Sequence, residues 1–202
     1  MADNYTDRFD YNGETYQFVV RMPTAIHELF IARVEDAIFS QLKSIREGTD
    51  DAAAFAHKVA PARSTEIYFP VDNAASGTKS KYEPDTSFWH DDAKYPGVII
   101  EVAYSQKRKR LGRLAEDYLL DSNASVQAVV GLDIEYGKKK SRKATLSVWR
   151  TRIDGNELGV VEEVAAQVCC FLARFSISPD ILPRRSVTSK ESPPSIQACG
   201  SS

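Results

Sequence analysis

Two carboxylates stand where a charge is hardest to accommodate, Asp85 and Glu101. Asp85 follows Pro84 near the start of one strand-like stretch. Glu101 interrupts Gly97-Val98-Ile99-Ile100-Glu101-Val102-Ala103-Tyr104, whose Val and Ile predict a strand buried on both faces. A charge in such a run is costly unless it is paired or binds a cation. The two acids are therefore a candidate divalent-ion site. The alternatives are an ion pair between Glu101 and an Arg, or an edge strand on which Glu101 faces water.

Other residues offer weaker chemistry. Lys107, Arg108, Lys109 and Arg110 crowd the expected first turn of a helix, where cations oppose the helix dipole. Either an anion or a carboxylate cluster lies nearby, or this is a solvated charge run. His27 sits at the margin of an apolar helical stripe, as a packed residue or as a site residue. Lys138-Lys139-Lys140 with Arg142 and Lys143 is a basic hairpin tip, suited to phosphate contact or simply to solubility. Cys169, Cys170 and Cys199 form neither a disulfide framework nor a zinc-ligand spacing. Cys169 and Cys170 read as core residues of an apolar helix, and Trp89 and Trp149 as sheet-face packing.

The elements that must position these groups follow from periodicity. Residues 1–10 are polar and read as loose, and Asn12-Gly13 marks a turn before a strand over 16–20. Thr24 is a candidate N-cap for a long helix whose stripe runs through Ile26, Phe30, Val34, Ala37, Ile38 and Ile45, with Glu28 and Glu35 opposite. Gly48 ends it, and the Ala-rich stretch before Pro61 predicts a short second helix. Strands follow at 65–71, 83–89 and 98–104, with a polar loop over 72–81, and short connections predict an antiparallel meander. A second amphipathic helix runs from Ser105 or Gln106 to Leu120, along Leu111, Leu114, Ala115, Tyr118 and Leu119. It crosses to a strand over 126–134 that can lie parallel to 98–104. That strand returns through 144–150, a turn at Ile153-Asp154-Gly155-Asn156 follows, and 158–175 reads as a short strand passing into a helix. The expected fold is α/β (α+β), a mixed sheet with helices on its faces, in a single domain over 10–176. Residues 177–202 are a Ser/Pro-rich tail with the composition of a disordered segment.

Composition narrows the function. A net charge of -2 argues against a general nucleic-acid coat protein but not against a local basic groove. The sequence shows no signal peptide and no apolar run near the roughly 20 residues that cross a bilayer. With its odd, unpatterned cysteines the expected setting is reducing and intracellular, cytoplasmic or nuclear.

The order of motifs resembles the PD-(D/E)XK nuclease superfamily, and most of all its restriction-endonuclease-like family. The residues that carry the resemblance are Glu83-Pro84-Asp85, then Glu101-Val102-Ala103-Tyr104-Ser105 on the next strand, a basic helix from Leu111-Gly112-Arg113 to Tyr118, and the apolar strand from Val126 to Asp133. Met22-Pro23 with His27 also resembles the family's entry to its first helix. The likeness covers roughly residues 10–135. It implies a restriction-endonuclease-like core in which Asp85, Glu101 and the Val102 carbonyl bind Mg²⁺ or Mn²⁺. It implies a metal-dependent nuclease acting on DNA or RNA, with Gln106 or Lys107 orienting the attacking water. Lys107, Arg108, Lys109, Arg110 and Arg113 would hold the nucleic-acid backbone. A membrane partner is not implied, and a homodimer is allowed. The chain departs from the pattern in having Ala103 where the superfamily has Lys, and Leu114 where the related family supplies a cation from the helix. Lys107, Lys109 or Arg113 would then substitute, and Asp10 or Glu14 would stand in for the family's early Glu. The alternative is a degenerate nuclease fold that binds nucleic acid or a protein without cleaving; a plain α/β interaction domain is the third reading.

Overall fold

A computed structural model describes residues 8–71, 77–103, 108–134, 143–154 and 157–169. Within it the chain is mixed α+β, with two sheets flanked by helices. Among the described residues no helix is long and apolar enough to cross a membrane.

The first sheet begins with a hairpin of Arg8–Asn12 (β1) and Gln17–Arg21 (β2). The Asn12 carboxamide makes the turn, accepting the amides of Glu14 and Thr15 at 3.0 and 2.9 Å. Tyr16 completes it at φ 56°, in the left-handed region. The hairpin alternates by face. Phe9, Phe18 and Val20 point outward, while Arg8, Asp10 and Arg21 point toward the second sheet. Residues 8–10, expected to be loose, are thus a strand. Their polar side chains have partners from distant parts of the chain, which local composition does not reveal.

Thr24 caps the helix Ala25–Arg46 (α1), its Oγ1 accepting the His27 amide. The buried face is His27, Phe30, Ile31 and Val34, and Ile26 is 55% exposed. The expected stripe is therefore rotated toward His27. Glu28 and Glu35 flank that buried face, Glu35 accepting a 2.8 Å hydrogen bond from Thr86. A short helix Asp51–His57 (α2), capped by Asp50, leads into Val59–Pro61 (β3), an edge strand hidden in the Ala-rich stretch. Pro61 fits there because an edge strand can spare an amide.

Ile67–Pro70 (β4) pairs with Lys79–Tyr82 (β5), not with the strand expected over 83–89. The first sheet has the order β2-β1-β5-β4. This corrects the meander expected across residues 65–104. Within the expected polar loop, β5 reads Lys-Ser-Lys-Tyr; Ser80 and Tyr82 are buried, and Lys81 is held by Glu66 and Glu83 at 2.7 and 2.6 Å. Residues 72–76 of that loop lie outside the described residues.

The second sheet holds the remaining strands: Thr86–His90 (β6), Val98–Ala103 (β7), Ala128–Ile134 (β8), Lys143–Asp154 (β9) and Glu157–Cys169 (β10). Its order is β10-β9-β8-β7-β6-β3. β6 and β7 run antiparallel, and the helix Arg108–Asp121 (α3) crosses over to make β8 parallel to β7, as expected. β10 corrects another expectation: Val160, Val161, Val164 and Val168 carry helical spacing, yet the segment pairs with β9 along its length. Cross-strand pairing, bent by a bulge between Glu162 and Val164, outweighs local periodicity. Cys169 accordingly lies in a strand. Of the turn expected over 153–156, Ile153 and Asp154 instead end β9, paired with Leu158 and Glu157; Gly155, Asn156, Cys170, Cys199, the 138–142 hairpin tip and the 177–202 tail lie outside the described residues.

Two cores form, one on each face of this sheet. Phe30, Ile31 and Val34 of α1 pack on Ile100, Val102 and Leu132. Leu111, Ala115, Tyr118 and Leu119 of α3 pack on Ile99, Ala103, Val129 and Trp149, joined by Phe69 and Tyr82 from the first sheet. Gly131 is required where α3 and Trp149 close over β8, because a Cβ there would lie 2.5 Å from Trp149 Cζ3. Strand alternation on β7 sends Ile99, Glu101 and Ala103 to the α3 side and Ile100 and Val102 to the α1 side.

Candidate functional site

The register of β6 and β7 sets Thr86 against Ile100. Asp85 immediately precedes β6, and its side chain reaches across to the Val102 amide of β7 at 2.7 Å, next to Glu101. Both acids are buried. Both meet Arg21 of β2, whose Nη1 lies 2.7 Å from Glu101 Oε2 and 3.8 Å from Asp85 Oδ1.

Each group has further partners. Asp85 Oδ2 accepts the Val102 amide at 2.7 Å, and its Oδ1 lies 3.5 Å from Arg8 Nη1. Glu101 Oε1 accepts the Tyr118 hydroxyl at 2.8 Å. His27 Nε2 lies 3.1 Å from the Val102 carbonyl and 3.4 Å from Asp85 Oδ2. Both neighbours are acceptors, so the ring proton belongs on Nε2. Arg21 reaches back to Asp10 through Nε at 2.8 Å and Nη2 at 2.6 Å, and Asp10 Oδ1 accepts the Glu83 amide at 3.0 Å.

These charges shift one another. Burial pushes the Glu101 carboxyl up to about 8, with the Arg21 guanidinium pulling against it and Asp85 adding to it. Burial alone would raise Asp85 too, but the His27 hydrogen bond and the Arg21 charge hold it below the usual carboxylate range. Burial works against a charged His27 ring; the hydrogen bond and charge of Asp85 prevail and raise its pKa. Tyr118 is driven well above the ordinary phenol by burial and then by the Glu101 charge, so it stays a donor. Two adjacent acids with environments pushing them apart are a recognised mark of functional sites.

The group opens into a cleft of about 220 Å³ lined by Arg8, Arg21, His27, Asp85, Glu101, Val102, Arg110 and Leu114, among others. Arg110 is exposed on its rim. Arg8 Nη1, His27 Nδ1 and Glu28 Oε1 are buried without a hydrogen-bond partner among the described residues, although His27 Nδ1 and Glu28 Oε1 face each other at 3.5 Å and Arg8 Nη1 faces Asp85 Oδ1 at 3.5 Å. Such atoms face a water or a bound group in most proteins.

The sequence-derived candidates divide clearly. Asp85, Glu101 and Val102 come together, and His27 joins them. Ala103 is buried, and Leu114 lines the cleft. Arg113 is exposed and lines an adjoining cleft with Arg110, Asp10 and Asp117. Gln106 and Lys107 lie outside the described residues, as do the side chains of Arg108 and Lys109. Sequence reasoning missed Arg8 and Arg21. The sequence signal was that charges alternate with apolar residues along β1, whereas β2 reads Gln-Phe-Val-Val-Arg, and alternation does not say which face turns inward. The alternative that Glu101 pairs with an Arg describes an actual contact.

No family model matches this chain, and no curated protein matches it.

Proposed function

We propose that this chain is a metal-dependent nuclease with a restriction-endonuclease-like core, hydrolysing phosphodiester bonds of DNA or RNA. One observation carries the reading: Asp85, just before β6, and Glu101, on the neighbouring β7, converge on a single guanidinium in a cleft that Val102 also lines and arginines wall. The order of elements agrees with it, since β6 and β7 are followed by the crossover α3 and the parallel β8.

Among the described residues no group of three or more His, Cys, Asp or Glu side chains is arranged around a metal position. The donor set is instead two carboxylates and a backbone carbonyl. Those hard oxygens suit Mg²⁺ or Mn²⁺, which keep several waters and need few protein ligands. When bound there, such an ion activates a water and offsets charge on the phosphate under attack. The chain's own residues do the rest. Asp85 is held in place by the Val102 amide, and Glu101 by the Tyr118 hydroxyl. His27 fixes the Val102 carbonyl from the α1 side. Arg110, exposed on the rim, would hold a backbone phosphate, a contact that positions without reading sequence. Gln106 and Lys107 keep the water-orienting role that the resemblance assigns them.

The second reading is a nuclease fold that binds nucleic acid or a protein without cleaving. The Arg21–Glu101 pair and the apolar Ala103 favour it, because a guanidinium already neutralises the acids. Fold alone does not decide between the two. Incubation of plasmid and single-stranded DNA with Mg²⁺ or Mn²⁺ does. Products that vanish in Asp85→Ala and Glu101→Ala, with both variants folded, support cleavage. Divalent-ion binding without products from any substrate selects the second reading.

A further inference from the structure

We propose that Arg21, tethered to Asp10, is the cation this cleft applies to the substrate phosphate, and that it leaves Glu101 when a divalent ion enters. The inference rests on the metal-dependent reading and fills the role that Ala103 and Leu114 leave open.

Four observations lead to it. First, Arg21 Nη1 is the group that stands between the two acids, 2.7 Å from Glu101 Oε2 and 3.8 Å from Asp85 Oδ1. A dication and a guanidinium repel, and both seek the same carboxylate oxygen, so the two occupancies exclude each other. Second, Arg21 has a separate anchor. Its Nε and Nη2 hold Asp10 Oδ2 at 2.8 and 2.6 Å. Asp10 is itself fixed by the Glu83 amide at 3.0 Å. Losing Glu101 therefore frees Nη1 without expelling the side chain from the cleft. Third, the neighbouring Arg8 Nη1 is buried without a hydrogen-bond partner among the described residues, 3.5 Å from Asp85 Oδ1. Arg8 and Arg21 are opposed in the β1–β2 register, so two guanidiniums share one wall. Fourth, the planar fork of donors on each suits phosphate oxygens better than a point charge does.

Arg21 thereby has two settings. Without the ion it caps the acids. With the ion on Asp85 and Glu101, its free donors face an anionic ligand. Ion and phosphate binding become linked through one side chain.

The test uses the full chain, Arg21→Gln and Arg21→Lys. Mn²⁺ affinity is read by calorimetry, and affinity for a phosphorothioate oligothymidylate is read in saturating Mn²⁺. Arg21→Gln is expected to bind Mn²⁺ roughly tenfold tighter, having lost the competitor, and the oligomer roughly tenfold more weakly. Arg21→Lys should recover part of the oligomer affinity. Unchanged or weaker Mn²⁺ binding in Arg21→Gln overturns the exchange. Should that variant not fold, side-chain NMR of the unmodified protein decides. Added Mg²⁺ should perturb the Arg21 Nη protons and leave the Asp10-bound Nε–H in place; silence of both while Mg²⁺ occupies the acids refutes it. Mn²⁺ binding that needs Asp85 yet ignores Arg21 sinks this inference and leaves the nuclease reading standing. No Mn²⁺ binding by any variant removes both.

Discussion

Arg21 and Glu101 lie eighty positions apart in sequence and 2.7 Å apart in space, a buried guanidinium against a buried carboxylate. The contact ties the first sheet to the second at the one place where Asp85 also arrives. It makes the charge in the middle of β7 tolerable.

Breaking that pair from one side should be expensive. Arg21→Met leaves Glu101, Asp85 and Asp10 without their shared cation, and we expect a loss of about 3–5 kcal/mol in urea unfolding. Replacing both partners, as Arg21→Met with Glu101→Leu, should cost clearly less than the sum of the single changes. Strict additivity would mean that the two side chains do not interact in solution.

If the chain cleaves nucleic acid, Asp85→Asn and Glu101→Gln should each lower metal-dependent cleavage by about two orders of magnitude or more. Each removes a charge from an oxygen donor that neutralises the transition state. Asp85→Asn should also weaken the fold slightly, since its Oδ2 serves the Val102 amide. Full activity in both variants would move the chemistry to another part of the molecule.

Asp117 makes a pH prediction away from the site. Burial first, opposed by a Tyr82 hydrogen bond, raises its carboxyl to about 6. In the unfolded chain an Asp titrates near 3.9. The folded state thus holds the proton more tightly. Its contribution to stability is fully present below about pH 4 and is lost as pH rises to about 6. The shift corresponds to about 3 kcal/mol unscreened, and solvent access reduces this to about 1 kcal/mol. Asp117→Asn should remove that loss, so the variant gains about 1 kcal/mol on the parent between pH 4 and pH 7. Parallel stability profiles across that window would exclude a perturbed Asp117.

Gly131→Ala tests the packing of α3 on the second sheet. Its Cβ would fall 2.5 Å from Trp149 Cζ3 and 3.3 Å from Leu111 Cδ1. We expect a destabilisation of about 1–3 kcal/mol from overpacking, with altered Trp149 fluorescence. A neutral substitution would mean that Trp149 moves aside at no cost.

Much of the frame was legible without coordinates. The Thr24 cap, the β7 strand, the α3 crossover and its parallel partner β8 all follow from capping, run length and periodicity. The errors share one origin. β1 and β5 look too polar to be strands, and β10 looks helical, until the partner strand is known. Arg8, Asp10 and Lys81 are polar residues that each have a partner on a different element or loop: Asp85, the Glu83 amide and Glu66.

The sequence by itself determined that Asp85 and Glu101 are costly charges in need of a partner, and that Glu101 sits within a buried strand. Desolvation and strand alternation are local consequences of residue type and spacing. Only the tertiary structure decided what meets them. Arg21 reaches Glu101 because the β1–β2 hairpin turns its charged face inward over the second sheet, and that choice of face depends on long-range packing that no local pattern encodes.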